Sequence, residues 1–157
     1  MVRRRFRKVA KDKRFKNLDF SKLNDVITIS KNLDIEIMNR IYNASDAYIS
    51  PYRGEGFNLP PLEAAACGVP IVVSLGGSTD DYFSEKLGLQ IKSKKVFEKD
   101  HGTIKIIPEF ESLIFCIETL INSTKFGGKS GSRYVHKFFN WEKITNLLIE
   151  NLSLSNT

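Results

Sequence analysis

Polar and apolar positions change period several times along the chain. Val26-Ile27-Thr28-Ile29 is β-branched and predicts a short strand. Ile35, Met38, Ile41 and Tyr42 then recur at helical spacing as far as Asn43, with Asp34 in the N-cap position. Ala47-Tyr48-Ile49-Ser50 predicts the next strand, closed by Pro51, and a loop follows from Tyr52 to Leu59. Pro60-Pro61 opens a helix that continues through Leu62 to Cys67, because proline is tolerated in a first turn. Gly68 stands at the favoured stop position. Pro70 to Ser74 is a near-continuous apolar run, the pattern of a strand covered on both faces. Gly76-Gly77 is a turn, and Ser78 or Thr79 caps a short helix at Asp80-Asp81.

Further along, Leu89-Gln90-Ile91 predicts a short strand. Residues 92–108 are polar and poorly patterned, a loop with some strand character near Ile104–Ile107. Glu109 to Ile121 predicts a helix with Leu113, Ile114, Ile117, Leu120 and Ile121 facing inward. Lys125 to Gly131 looks like a Gly/Lys/Ser linker, and Trp141 to Leu152 a final amphipathic helix. Strands alternating with helices argue for an α/β domain built on a parallel sheet. In such folds ligands sit at the carboxyl ends of the strands, where Tyr52–Leu59 lies.

A chain of 157 residues suits one domain rather than two. Its 41% hydrophobic and 27% charged residues exclude a disordered class. The net charge of +6 is local: residues 1–16 hold nine Lys/Arg against Asp12 alone, and the rest holds 15 basic and 17 acidic residues. The organisation expected is a basic tail over residues 1–24 and a folded domain over 25–152. A solvated arm is the simplest account of the tail. Weak contact of residues 1–16 with an acidic membrane surface is the functional alternative. Aromatic residues in the tail are sparse and no nucleic-acid motif is present, so no nucleic-acid partner is expected. Apolar runs are too short to span a bilayer, and no signal peptide is visible, which points to the cytoplasm, with peripheral membrane attachment as the variant. Cys67, Cys116, His101 and His136 do not form a zinc pattern, and both cysteines are expected to be small buried hydrophobes. Trp141 and Phe138-Phe139 are expected to be core packing.

The candidate chemistry is concentrated between Ser50 and Pro70. The Tyr52–Leu59 loop leaves a strand and enters a helix N-terminus, where free N–H groups and the positive end of the helix dipole favour phosphate. Gly54 and Gly56 let backbone approach a ligand closely. Glu55 in the loop and Glu63, taken as a first-turn residue of the helix, are separated by seven residues. Two carboxylates so placed suit paired sugar hydroxyls. Singly, Glu63 is explained by the helix dipole and Glu55 by an exposed loop; the surrounding glycines and strand–loop–helix context favour the functional reading.

Glu55-Gly56-Phe57, Leu59-Pro60, Glu63-Ala64, Ala66-Cys67-Gly68 and Pro70 resemble the Glu-x7-Glu motif of glycosyltransferase family 4 and its relatives. Tyr42 to Ala47, Ile71 to Ser74 with Gly76-Gly77, and Phe139-Asn140-Trp141-Glu142 are similar to flanking segments of that family. The resemblance implies a single Rossmann-like domain with helices on both faces of a parallel sheet, the C-terminal half of a GT-B fold. It implies that Glu55 is the catalytic carboxylate, contacting the donor sugar. Phe57, Asn58 and Leu59 would cradle sugar and diphosphate through backbone amides, and Glu63 would hold the ribose. The donor would be a nucleoside diphosphate sugar, transfer would retain configuration, and neither cofactor nor metal would be needed.

Asn58 stands where the family usually has glycine, and asparagine tolerates unusual backbone angles. The family's Arg/Lys pair for the diphosphate has no counterpart in residues 1–24, leaving Arg53 or the basic tail as replacements. The acceptor is undefined, and a separate acceptor-binding domain or chain is expected to complete the site. The alternative is a non-catalytic nucleotide-sugar-binding module, or a truncated one needing a partner chain.

Overall fold

A computed structural model describes residues 27, 29–99 and 102–154, which fall into two units divided after Asp34. In the first unit the described residues carry no helix or strand, so the strand expected at Val26–Ile29 is not formed at Ile27 or Ile29. The basic segment 1–16 and the rest of the expected tail lie outside the described residues.

The second unit runs α1 (Ile35–Asn43), β1 (Tyr48–Ser50), α2 (Leu59–Ala66), β2 (Ile71–Ser74), a 3-10 turn (Ser78–Asp81), β3 (Gly88–Ile91), β4 (Ser93–Glu98), β5 (Thr103–Pro108), α3 (Phe110–Ile121), α4 (Gly128–Phe138) and α5 (Trp141–Leu154). Strands β1, β2 and β3 form a parallel sheet in that order, with Tyr48 opposite Ile71 and Ile71 opposite Gly88. Every residue of β2 is buried, as its unbroken apolar run requires of a central strand.

The alternation of side chains along β2 divides the core between the two faces of the sheet. Ile71 and Val73 point to one face, where they pack with Tyr42 of α1, Leu62, Ala64 and Ala65 of α2, and Val135 of α4. Val72 points to the other, with Ile91 and Cys116, and Leu113 and Leu120 of α3 close this side. Helices therefore cover both faces, as expected. On α3, however, Ile114 and Ile121 are exposed and the buried position is Cys116. The inward stripe is narrower than the run of apolar residues suggested. Cys67 is half-buried, and its Sγ donates to Asn39 Oδ1 at 3.3 Å, so only Cys116 behaves as the buried hydrophobe expected of both. Among the described residues no helix is long and apolar enough to cross a membrane.

Two segments differ from the sequence expectation. Ser93–Glu98 and Thr103–Pro108 pair as an antiparallel hairpin, β4 with β5, where a loop was expected; the strand character expected near Ile104–Ile107 falls within β5. Most of its side chains are exposed, so pairing rather than an apolar face holds it, and no alternating pattern signals it. The supposed linker is the start of α4. Gly127 has φ 68°, and a Cβ there would lie 2.7 Å from Pro70 N and 2.8 Å from Gly68 O. Gly128 N–H donates to Gly68 O at 2.7 Å, and Ser132 Oγ to Ala66 O at 2.7 Å. These small residues let α4 dock on the end of α2.

Gly127→Ala is expected to destabilise the protein by roughly 2–4 kcal/mol, combining backbone strain with a clash against backbone atoms. Lys129→Ala, at an exposed position, should change stability by less than about 0.5 kcal/mol. Urea denaturation of both variants checks this; equal effects would mean the segment is not close-packed.

Candidate functional site

The loop from Pro51 to Asn58 leaves the carboxyl end of β1, and the Gly76-Gly77 turn leaves the carboxyl end of the adjacent β2. A hydrogen-bonded cluster ties the two together. Thr79 N–H donates to Tyr52 Oη at 3.1 Å, and Thr79 Oγ1 donates to Ser74 O at 3.2 Å. The Tyr52 and Thr79 hydroxyls share a hydrogen bond at 2.8 Å. Ser74 Oγ donates to Tyr52 O at 2.9 Å. Ile106 N–H of β5 donates to Arg53 O at 2.9 Å, so the hairpin fixes the next residue of the loop. Sequence reasoning singled out none of Tyr52, Thr79 or Ile106 as supports. Their roles depend on contacts between distant segments that no local spacing records.

Beyond Arg53 the loop is exposed. Arg53, Gly54, Glu55 and Gly56 all face solvent. Neither glycine has a positive φ, and a Cβ on either would meet no atom within 4 Å. The chain itself therefore gives neither position a reason to lack a side chain. Space is left open on the outer side of the loop, beside Glu55.

The loop ends in a left-handed turn. Asn58 has φ 62° and ψ 66°, the sole non-glycine positive φ among the described residues. Its Nδ2 donates to Ser50 Oγ at 3.1 Å, and its carbonyl accepts from the buried Tyr82 hydroxyl at 2.8 Å. Burial, followed by Tyr52 and Tyr48, pushes the Tyr82 hydroxyl well above its ordinary pKa, so it stays a donor. The Phe57 ring packs on Tyr82 with centroids 5.2 Å apart. An asparagine thus holds the conformation for which glycine is the default.

Helix α2 begins at Leu59 with prolines immediately after it. Pro60 and Pro61 have no N–H, so two of the donors usual at a helix N-terminus are missing. The backbone donors left at this end belong to Phe57, Asn58 and Leu59, and among the described residues none of the three has an acceptor. Glu63 is the fifth residue of α2, in its second turn rather than its first. The dipole at the helix start is therefore a weak reason for an acid here. Instead its Oε2 accepts a hydrogen bond from Tyr42 Oη at 3.0 Å. The Tyr48 hydroxyl is pushed up by burial, then by Glu63, then by Glu55. Both acids are therefore near enough to one side chain to act on it electrostatically.

Glu63 also borders a groove of about 560 Å³ lined by Phe57, Leu59, Leu62, Phe139, Trp141 and Ile144 among others. Phe139 packs its ring against Tyr82 and Tyr134. Asn140 caps α5: its Oδ1 accepts from Lys143 N–H at 2.9 Å. Trp141 is 87% exposed and Phe138 is exposed, so of the three expected core aromatics only Phe139 joins the core. The turn carries Phe139 inward and leaves Trp141 on the groove's outer wall.

Residues 5–97 match the family described as glycosyl transferases group 1, more than half the chain. The chain belongs to this family. Its first 85-residue match is to an uncharacterised glycosyltransferase 335 of Sulfolobus islandicus rod-shaped virus 1, at 39% identity over 52% of this chain and 24% of the relative. The uncharacterised glycosyltransferase MJ1069 of Methanocaldococcus jannaschii is 30% identical over 83% of this chain and 31% of that protein. Among solved structures, sucrose-phosphate synthase from Thermosynechococcus elongatus superposes with a TM-score of 0.66 at 24% identity, over 98% of this chain and 35% of its own. That likeness establishes the shared fold, half of a GT-B architecture. The chain spans about a quarter to a third of the length of these relatives.

At Asn58, replacement by alanine should cost about 1–2 kcal/mol, because alanine pays the left-handed penalty. It also loses the bond to Ser50. Asn58→Gly should cost less, keeping the backbone angle while losing only the side-chain bond. Thermal denaturation of the two variants distinguishes them; alanine and glycine of equal stability would contradict a strained turn.

Proposed function

We propose that this domain binds a nucleoside diphosphate sugar and is the donor-binding part of a glycosyltransferase that retains anomeric configuration. Family membership supports a transferase. The observation that carries the reading is the free end of α2: the backbone N–H groups of Phe57, Asn58 and Leu59, which have no partner among the described residues, lie in sequence between the two carboxylates Glu55 and Glu63. Amides of this kind favour a diphosphate. Glu63 holds the ribose hydroxyls. Glu55, beside the open space at Gly54 and Gly56, contacts the donor sugar and is the catalytic carboxylate.

Chemically, the arrangement suits departure of a diphosphate. Negative charge builds on the leaving oxygens as the glycosidic bond to phosphate breaks, and fixed amides stabilise it without reorganising. Arg53 is exposed and lies in the same loop, so its guanidinium is a candidate to balance that charge. No metal is required for these roles. The acceptor binds on a second domain or chain, which closes the open side of the loop.

Calorimetric titration with UDP, GDP and ADP in turn tests the donor site. One of them should bind in the micromolar range, and Glu63→Ala should weaken it about tenfold or more, the cost of losing a charged hydrogen bond. Glu55→Ala should leave the plain nucleotide unaffected and weaken only its sugar conjugate. A folded protein that binds none of the three, or a nucleotide affinity indifferent to Glu63, would contradict the reading.

A further inference from the structure

Resting on the ribose role of Glu63 above, we infer that Tyr42 is a positioning residue for the donor site: its hydroxyl anchors one oxygen of the Glu63 carboxylate and leaves the other directed at the ribose. Tyr42 lies in α1, 21 residues before Glu63, and is buried among the core residues beneath the sheet. Its ring is held edge-on to Tyr48, with centroids 6.0 Å apart. The hydroxyl reaches Glu63 Oε2 at 3.0 Å, and among the described residues Glu63 has no other hydrogen-bond donor.

An exposed glutamate has three freely rotating side-chain torsions, and ordering them on binding costs free energy. A single hydrogen bond from a buried, rigid donor removes most of that freedom before the ligand arrives. A tyrosine suits the task because its hydroxyl sits at the end of a plate with only two torsions. Burial, and then the carboxylate itself, push the Tyr42 hydroxyl well above its ordinary pKa, so throughout the neutral range it donates and never competes as an anion. The alternative view, that Tyr42 is a core aromatic whose hydroxyl merely finds a partner, makes a different forecast. It expects loss of the hydroxyl to change stability and all ligands alike.

Tyr42→Phe keeps the ring and removes the bond. The test measures affinity of the full chain for the nucleoside diphosphate that binds it and for the 2′,3′-dideoxy form of the same nucleotide. Wild type should prefer the ribonucleotide. Tyr42→Phe should lose roughly three- to tenfold in affinity for the ribonucleotide, the size of one hydrogen bond, and leave the dideoxy form unchanged. In a Glu63→Ala background, which has no acceptor for the Tyr42 hydroxyl, the same substitution should have no further effect on either ligand. Equal losses for both ligands, or no loss for either, would overturn the positioning role while leaving the donor site standing. Wild-type protein that binds both forms equally would instead remove the ribose role of Glu63, and this inference with it.

Discussion

At Asn58 the backbone turns left-handed, and from that one conformation the geometry of the site follows. The turn swings the chain from the loop above β1 into the axis of α2. It leaves the N–H groups of Phe57, Asn58 and Leu59 without partners among the described residues. A buried tyrosine holds it from below through the Asn58 carbonyl, and Ser50 holds it from the strand side. A non-glycine residue in this region costs about 1 kcal/mol or more, and such strain persists where surrounding structure over-determines it. Here Tyr82 and Ser50 do so together.

The supports below the turn are rigid, and what lies above it is open. Tyr52, Ser74 and Thr79 knit the two loops at the carboxyl edge of the sheet, and β5 pins Arg53. Past Arg53, glycines stand at 54 and 56 where neither conformation nor packing calls for them. Buried side chains anchor the frame, while Glu55 and Glu63 on it are exposed.

Much of this was legible in the sequence because its signals are local. The bounds of α1 and the fully buried β2 follow from period and composition alone. So does the Pro-Pro helix start, and the Glu55–Glu63 spacing carried the family resemblance. What the sequence hid depends on distant partners. The β4–β5 hairpin buries little apart from Ile106, so its strands show no alternating pattern. The glycines and serines of α4 imitate a linker because close docking on α2 demands small residues. Tyr42 is indistinguishable, by spacing, from any core residue of α1; only the fold brings its hydroxyl to Glu63. The acid itself sits a turn deeper in its helix than the proline count suggested. Trp141 follows the apolar stripe of α5 yet faces outward, because periodicity shows which residues share a face and not what covers it.

On the proposed function, the turn at Asn58 presents its amides to a diphosphate. At 157 residues the protein suits two-dimensional amide NMR, and titration with the nucleoside diphosphate that binds it is the most direct test. The largest shifts are expected at the amides of Phe57, Asn58 and Leu59, with smaller ones at Gly54, Gly56 and Glu63. Saturable shifts confined to another surface, such as the exposed face of α4, with those amides unmoved, would contradict it.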